Sequence, residues 1–451
     1  MKNLDFISNY KAFFFVGIGG VSMSGLANFL IDKGYKISGS DHSRSNLTEK
    51  LENRGAKIYY KHSSKNLNGV DVVVYSSAIN ETNPELKRAR ELGLKIIKRS
   101  ELLSAIMKEY KKSVAISGCH GKTTTTAMLS EIFISAGLDP TVFLGGEYSY
   151  FGNYRKGDSE YAVVEACEFR KSFLDLSPKI SVVLNIDNDH MDSYNGMSDL
   201  VDSFKCFVGD NLSVINADDK YAEYISNCTT VTFGIKSPAN YYAKDIRRGK
   251  NGYSFTACAY AKAYGRINLK VLGKHNIYNA LCAFAVSDLM GINFKDIKRG
   301  LENFYGVKRR NEYLGEKFGL KWFADYAHHP TELKASIEAF SSAGKDFVTV
   351  FQPHTYSRTE RLMHDFIEAL KPVKNLIVYK TYPAREKFNY KGSAKTLYDN
   401  LTSADMINCA YAQTNKQLEC LIKYYSCGND RVLVLGAGDI YERVKSILVE
   451  R

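Results

Sequence analysis

The sequence predicts an α/β protein of three domains, each a largely parallel, doubly wound sheet with flanking helices, the central one carrying an added antiparallel segment. Three observations predict it. Continuous apolar runs of about five residues recur at helix-length intervals, as in Ala12–Val16 (AFFFV), Ser113–Ser117 (SVAIS) and Phe347–Phe351 (FVTVF). A strand covered on both faces needs such a run. Each run empties into a Gly-rich or polar turn followed by a helical pattern, which is the order of a strand–helix crossover. The length of 451 residues, at roughly 150 per domain, allows two to four domains.

Taken in order, the first domain (1–108) opens with Ala12–Val16 leading into Gly17-Ile18-Gly19-Gly20. Lys36–Ser38 then leads to Gly39-Ser40-Asp41, and Val70–Tyr75 to Ser76-Ser77. The central domain (109–310) follows the Lys108–Lys112 cluster. There Ser113–Ser117 feeds Gly118-Cys119-His120-Gly121-Lys122-Thr123-Thr124, Tyr161–Val164 ends at Glu165, and Ile180–Ile186 ends near Asp187–His190. Short alternating stretches between Cys228 and Val271 read as antiparallel strands. A helix starts near Asn276, with Ile277, Leu281 and Phe284 on one face. The third domain (311–451) follows Arg309-Arg310. Its strands end at Asp325, at Gln352-Pro353-His354, before Tyr382–Glu386, and at Gly436–Asp439. Polar residues thus sit past the carboxyl ends of strands, where open α/β sheets bind ligands.

Composition removes several classes. Apolar residues make up 45% and charged residues 24%, a globular balance. No apolar run nears the ~20 residues that span a bilayer, and the first ten residues lack the pattern of a secretion signal. A cytoplasmic protein without membrane insertion, monomeric or homodimeric, is expected. Nine cysteines without a C-x-x-C pair fit reduced thiols rather than a disulfide framework or a thiolate zinc site. The net charge of +12 suits an anionic ligand. With no long basic block and no ribonucleoprotein-type aromatic motif, nucleic acid is not an expected partner.

Gly118–Thr124 is the strongest local signal. Glycines after a buried strand turn backbone N–H groups toward a phosphate, and the following helix presents its positive end. Lys122 would reach the β/γ-phosphates and Thr123 would ligate Mg²⁺. Ile116 occupies the place of the first Gly of the longer phosphate-loop pattern, so the motif is the shorter G-x-x-G-K-T. Cys119, at the positive end of a helix and near Lys122, is expected to be a reactive thiol, or else a small packed residue. Gly17–Gly20 resembles a dinucleotide fingerprint broken at Ser22, with Asp41 where a ribose partner belongs. Glu165 at a buried strand end is costly unless it meets a cation. Glu168 and His190 are further candidates at that edge, and oxygen ligands with one imidazole suit Mg²⁺ beside phosphates.

The chain resembles the Mur ligase family over nearly its whole length. The resemblance is carried by Gly17–Ala27 (GIGGVSMSGLA), Gly118–Thr125 (GCHGKTTT), Asn185–Asp192 (NIDNDHMD), Gly273–Asn279 (GKHNIYN), Asp325–Glu332 (DYAHHPTE), Gln352–Thr359 (QPHTYSRT) and Tyr382–Glu386 (YPARE). It implies an ATP-dependent ligase of peptidoglycan synthesis that joins L-alanine to the lactyl carboxylate of UDP-N-acetylmuramate through an acyl phosphate. The family alternative is a ligase that reattaches recycled peptide to the same sugar nucleotide. Carried over by position, Gly17, Gly19, Gly20, Asp41 and Ser76 would hold the UDP-sugar. Gly118, Cys119, His120, Gly121, Lys122, Thr123, Thr124, His275, Asn276 and Asp325 would hold ATP, and Thr123, Glu165 and His190 would hold Mg²⁺. Tyr326, His354 and Arg358 would line the amino-acid side, with Lys122, His354 and Arg358 catalytic. His354 is read either as a base for the alanine ammonium or as a positioning group. Arg309-Arg310 would serve domain closure or uridine contact, and Lys205 is a candidate for chemical modification. Cys119 stands where the family more often has Thr, and Glu165-Ala-Cys-Glu168 departs from its Asp-rich version. A nicotinamide-dependent oxidoreductase leaves Lys122, Glu165 and His190 unexplained, and a nucleic-acid-dependent ATPase rests on charge alone.

Overall fold

Five strands, two of them apolar enough to need cover on both faces, form the first sheet of the computed structural model: β1 (Ala12–Val16), β2 (Lys36–Ser40), β3 (Lys57–Tyr59), β4 (Val72–Tyr75) and β5 (Lys95–Lys98). Their order is β3-β2-β1-β4-β5 and every pairing is parallel. The structure describes residues 9–191, 193–249, 252–341, 346–404 and 408–449. Residues 1–8, on which the secretion-signal expectation falls, and Asp192, the last residue of the Asn185–Asp192 motif, lie outside them.

The second sheet comprises β6 (Lys112–Ser117), β7 (Thr141–Tyr148), β8 (Gly152–Arg155), β9 (Tyr161–Glu165), β10 (Ile180–Val183), β11 (Leu212–Asn216), β12 (Thr230–Gly234), β13 (Tyr241–Gly249), β14 (Gly252–Ala259) and β15 (Lys262–Asn268). The order is β15-β14-β13-β12-β11-β10-β6-β9-β7-β8. The phosphate-loop strand β6 therefore lies between β9, which ends at Glu165, and β10, which leads to Asp187–His190. The Cys228–Val271 expectation needs correction. Strand β12 runs parallel to β11, and β13 parallel to β12; β14 and β15 form the antiparallel pair. A second antiparallel ribbon, β7 with β8, lies at the other edge.

The third sheet holds β16 (Glu312–Lys317), β17 (Leu320–Asp325), β18 (Val348–Phe351), β19 (Asn375–Tyr379), β20 (Cys409–Ala412) and β21 (Arg431–Leu435), in the order β16-β17-β21-β18-β19-β20. Only β16 is antiparallel to its neighbour. Alternate residues face two cores: Phe351, Leu433 and Leu435 on one side, Val350, Val432 and Val434 on the other.

The chain divides into two compact units. The first runs as far as Arg247 and takes in Ser254–Leu269 and Asn276–Phe304, and so carries the first sheet and most of the second. The second comprises Arg248–Tyr253, Lys270–His275 and the chain from Tyr305 on, with the third sheet. Within the first unit the two sheets share one core, where Phe29 meets Phe143 at 5.8 Å between ring centres. Asn153 Nδ2 donates across it to Val21 O (2.6 Å) and Ser24 Oγ (2.9 Å). No helix among the described residues is long and apolar enough to cross a membrane.

Candidate active site

Strand β6 delivers the chain into the Gly118–Gly121 turn, and the Lys122–Ser135 helix follows at once. Gly121 caps that helix at φ 86°, and a Cβ there would lie 2.7 Å from Asn279 Oδ1, so conformation and space both require glycine. Asn279 Nδ2 in turn donates to Asn276 Oδ1 at 2.9 Å, which ties Asn276 to the turn by one intermediate. The other wall is Asn185. Its Oδ1 accepts from His120 N (2.8 Å), its Nδ2 donates to His120 O (2.9 Å), and its carbonyl accepts from Cys119 N (3.1 Å). His120 Nε2 lies 2.9 Å from Asp187 Oδ2. The turn is thus preshaped by neighbouring strand ends, and Thr124 follows on the first turn of the helix, half-buried.

Lys122 bends back over this turn. Its ammonium donates to Gly118 O (2.6 Å) and Cys119 O (3.2 Å), and it meets Glu168 at 3.0 Å (Oε1) and 2.8 Å (Oε2). Glu168 is fully buried. Burial works against the charged lysine, but Glu168, Cys167 and Glu165 outweigh it and hold the ammonium above its ordinary range. The sequence marked Glu168 only as a candidate at the strand edge; 46 residues separate it from the lysine it pairs with.

Oxygen donors gather one turn away. Thr123 Oγ1 donates to Glu165 Oε2 at 2.8 Å, and Gly145 N donates to the same oxygen at 2.7 Å. A hydroxyl and a carboxylate brought together beside a phosphate turn are a donor set that a hard divalent cation takes, so these residues fit Mg²⁺. Glu168 Oε2, near the lysine, accepts no well-aligned hydrogen bond. His190, at φ 54°, directs Nε2 to within 3.6 Å of Glu168 Oε1 and of Asp189 Oδ2. A non-glycine residue held there stores strain.

Cys119 departs from its expected reactivity. It is 7% exposed, its sulfur donates to Asp187 O (3.4 Å) and accepts from Asp187 N (3.2 Å), and it packs as a small buried residue. Burial and the charge of Glu168 push its thiol well up, and the pull of Lys122 is the weaker influence. Lys205 is exposed, with its ammonium over the Tyr224 ring at 4.2 Å.

The amino-terminal turn is built differently. Gly17 N and Ile18 N donate to Ser40 O (2.8 and 3.0 Å), and Gly20 precedes the Val21–Asp32 helix. Asp41, directly after β2, accepts from Gly19 N through Oδ2 (2.8 Å) and from His42 N through Oδ1 (2.8 Å). A Cβ on Gly19 would sit 2.8 Å from that Oδ2. Behind it lies Glu85, which no local pattern singled out; it is fully buried and accepts from Ser40 Oγ (2.8 Å) and Asn66 Nδ2 (2.8 Å), with His62 Nδ1 at 2.7 Å. Ser76 is half-buried after β4, and its neighbour Ser77 accepts from Arg170.

In the second unit, Asp325 is buried at the end of β17 and accepts from Ala327 N (2.9 Å) and Asn311 N (2.8 Å); burial raises its carboxyl. The unit also contains His275, at the start of the His275–Leu289 helix. Tyr326 is faced by the guanidinium groups of Arg309 (4.7 Å) and Arg310 (5.2 Å). Arg309 further donates to Gly436 O (3.1 Å) and Gly438 O (3.0 Å), bonds that stay within this unit. His354 stacks on Tyr382 at 5.5 Å and meets Arg358 Nη1 through Nδ1 at 3.2 Å. A guanidinium only donates, so Nδ1 is the acceptor in that contact.

Three family profiles match the chain in sequence: "Mur ligase family, catalytic domain" over residues 13–111, "Mur ligase middle domain" over 116–287, and "Mur ligase, glutamate ligase domain" over 309–438. A UDP-N-acetylmuramate–L-alanine ligase of Clostridium tetani is 40% identical over 450 residues, covering 98% of each chain. The ligase of that name from Caldanaerobacter subterraneus is 41% identical over 454 residues, again covering 98% of each. Among solved structures, a UDP-N-acetylmuramate–alanine ligase of Thermotoga maritima superposes with a TM-score of 0.85 at 29% identity, covering 97% of this chain and 98% of its own.

Proposed function

The chain belongs to the Mur ligase family, and from that premise we propose that it joins L-alanine to the lactyl carboxylate of UDP-N-acetylmuramate, at the expense of ATP, in peptidoglycan synthesis. The observation that carries this reading is the likeness to ligases of that name over almost the entire length of both chains. We assign residues 1–108 to the UDP-sugar, 109–310 to ATP and 311–451 to the amino acid and to closing over the nucleotide.

A carboxylate is a poor electrophile toward an amine, so it is activated first. One of its oxygens attacks the γ-phosphorus, the bond to the β–γ bridging oxygen breaks, and ADP leaves with that electron pair. The amine nitrogen of L-alanine then attacks the acyl carbon, phosphate leaves with the C–O electron pair, and the nitrogen loses its proton. Lys122 and the backbone N–H groups of Gly118–Thr124 hold the β- and γ-phosphates as charge moves between them. Thr123 and Glu165, with His190 nearby on Glu168, would hold Mg²⁺. When bound, that ion neutralises phosphate charge and orients the γ-phosphoryl group. Asn276 and His275 are assigned to the adenine side and Asp325 to ATP. Gly17, Gly19, Gly20, Asp41 and Ser76 are assigned to the sugar nucleotide, and Tyr326, His354 and Arg358 to the alanine side as orienting groups. The reaction is assigned to the cytoplasm.

Phosphate release from ATP tests the reading. It is expected with UDP-N-acetylmuramate plus L-alanine, and at background with either alone or with nucleic acid. Faster release with a peptide beginning in L-alanine than with the free amino acid overturns it in favour of the recycling reaction.

A further inference from the structure

A cavity in the first unit is lined by Ser22 and Leu26 from the helix leaving the amino-terminal turn, by Phe143 and Asn153 from the central sheet, and by two charged residues, Arg99 and Glu165. Its lining therefore includes both the first turn of the helix that follows the turn assigned to the sugar nucleotide and the carboxylate that Thr123 bonds. Arg99 opens the Arg99–Lys108 helix. Its neighbour Ser100 is pinned by a 2.5 Å bond from Oγ to Asp175 Oδ2, which fixes where the arginine stem begins. The guanidinium makes one long bond, 3.4 Å from Nη2 to the neutral Ser172 Oγ, and among the described residues it has no ion-pair partner.

We propose that Arg99 is a positioning residue for the acceptor, whose guanidinium holds the lactyl carboxylate of the sugar nucleotide against the γ-phosphoryl group. The inference rests on the reaction assigned above. Two anions must meet for the first step, and the cations nearest the phosphate turn are already committed. Lys122 is engaged by Glu168 and by two loop carbonyls, and the Thr123–Glu165 oxygens serve the nucleotide side. The acceptor anion needs a cation of its own. A planar guanidinium binds a carboxylate with two parallel N–H bonds and fixes its orientation as well as its charge. Arg99 lines the same cavity as Glu165, whose Oε2 is held by Thr123 and Gly145 N.

The test compares two ligands that differ only at the group in question: UDP-N-acetylmuramate, and the same sugar nucleotide lacking the lactyl ether. The wild-type protein is expected to bind the first about tenfold or more tighter, and Arg99→Ala to bind the two within threefold of each other. The same variant is expected to lose about 100-fold in kcat/KM for UDP-N-acetylmuramate, to keep its ATP affinity, and to regain part of its rate with added guanidinium ion. If the alanine variant does not fold, Arg99→Gln, which keeps part of the stem and a polar end without the charge, is read in the same way. Retained discrimination in a folded variant overturns the proposal, as does a lost rate that guanidinium does not restore. Wild-type phosphate release is the control. Its absence defeats the assigned reaction itself, whereas its presence beside an unaffected Arg99 variant defeats only the role given to Arg99.

Discussion

Two glycine turns in the first unit share one plan, a buried parallel strand emptying into the start of a helix, yet they are wired in opposite senses. At Gly118–Lys122 the carboxylates come from the neighbouring strand exit and face a lysine and a hydroxyl: Glu168 on Lys122, Glu165 on Thr123. At Gly17–Gly20 there is no lysine, and the carboxylate of Asp41 accepts directly from the Gly19 amide. On the proposed roles, the first arrangement brings an ammonium and hard oxygen donors to a polyphosphate and its cation. The second already has an anion on its amide and would offer a ribose hydroxyl a negatively charged acceptor. Backbone shape alone does not decide what a glycine turn binds; the side chain arriving from the next strand does.

The largest effect tests the cationic turn. Lys122→Ala is expected to lower ligation by about 10³-fold or more while UDP-sugar binding, measured by calorimetry, stays intact. Lys122→Arg also fails, because a planar guanidinium cannot sit as a compact ammonium between two carbonyls and Glu168. Removing the lysine leaves Glu168 buried without its counter-charge, a destabilisation of about 3–5 kcal/mol. The double variant Lys122→Met/Glu168→Gln is therefore expected to melt near wild type and remain inactive. Loss of UDP-sugar affinity in that folded double variant breaks the division of labour between the turns.

Next in size is the oxygen pair. Glu165→Ala is expected to cut turnover about 10²-fold and to raise the Mg²⁺ concentration needed for half-maximal rate; an unshifted Mg²⁺ titration removes Glu165 from the metal side. Asp41→Ala, which takes the acceptor from Gly19 N, is expected to raise KM for the sugar nucleotide about tenfold, equivalent to ~1.4 kcal/mol, within the range for one lost charge-assisted bond. KM for ATP is expected to stay unchanged, and steady-state kinetics with each substrate varied in turn separates the two. The smallest effect concerns Cys119. With its thiol pushed up by burial, brief alkylation at neutral pH is expected to label the exposed Cys206, Cys228, Cys420 and Cys427 first, with Mg-ATP making no difference at Cys119. Peptide mass spectrometry reads this directly, and Cys119→Thr is expected to retain full activity.

Much of the frame was legible because burial on both faces leaves a plain trace. The AFFFV, VVVY and SVAIS runs announced β1, β4 and β6, and residues just past strand ends proved to gather in each sheet. The polar EYLGEK of β16 left no such trace, since an edge strand has one side to cover. In the Thr141–Tyr148 ribbon, the absence of a side chain at Gly145 lets its amide approach Glu165, where a Cβ would lie 2.5 Å from Oε1. Contacts between distant residues were beyond local pattern: nothing near Lys122 names Glu168, and nothing near Ser40 names Glu85. For Cys119 the pull of Lys122 has the expected sign, but the sequence cannot weigh it against desolvation by the Asn185–Asp187 wall.

The back-folded lysine has a consequence for selectivity. With Glu168 and two carbonyls around its ammonium, the turn is internally satisfied before any nucleotide arrives. A ligand gains from that ammonium only the difference between its own charge and the carboxylate it competes with. A lone orthophosphate, the product of every turnover, brings little beyond what Glu168 already supplies. On the roles proposed above, a chelated triphosphate would reach several turn amides at once while its cation engaged Thr123 and Glu165. The ion pair that steadies the turn would then set a threshold that orthophosphate alone does not pass.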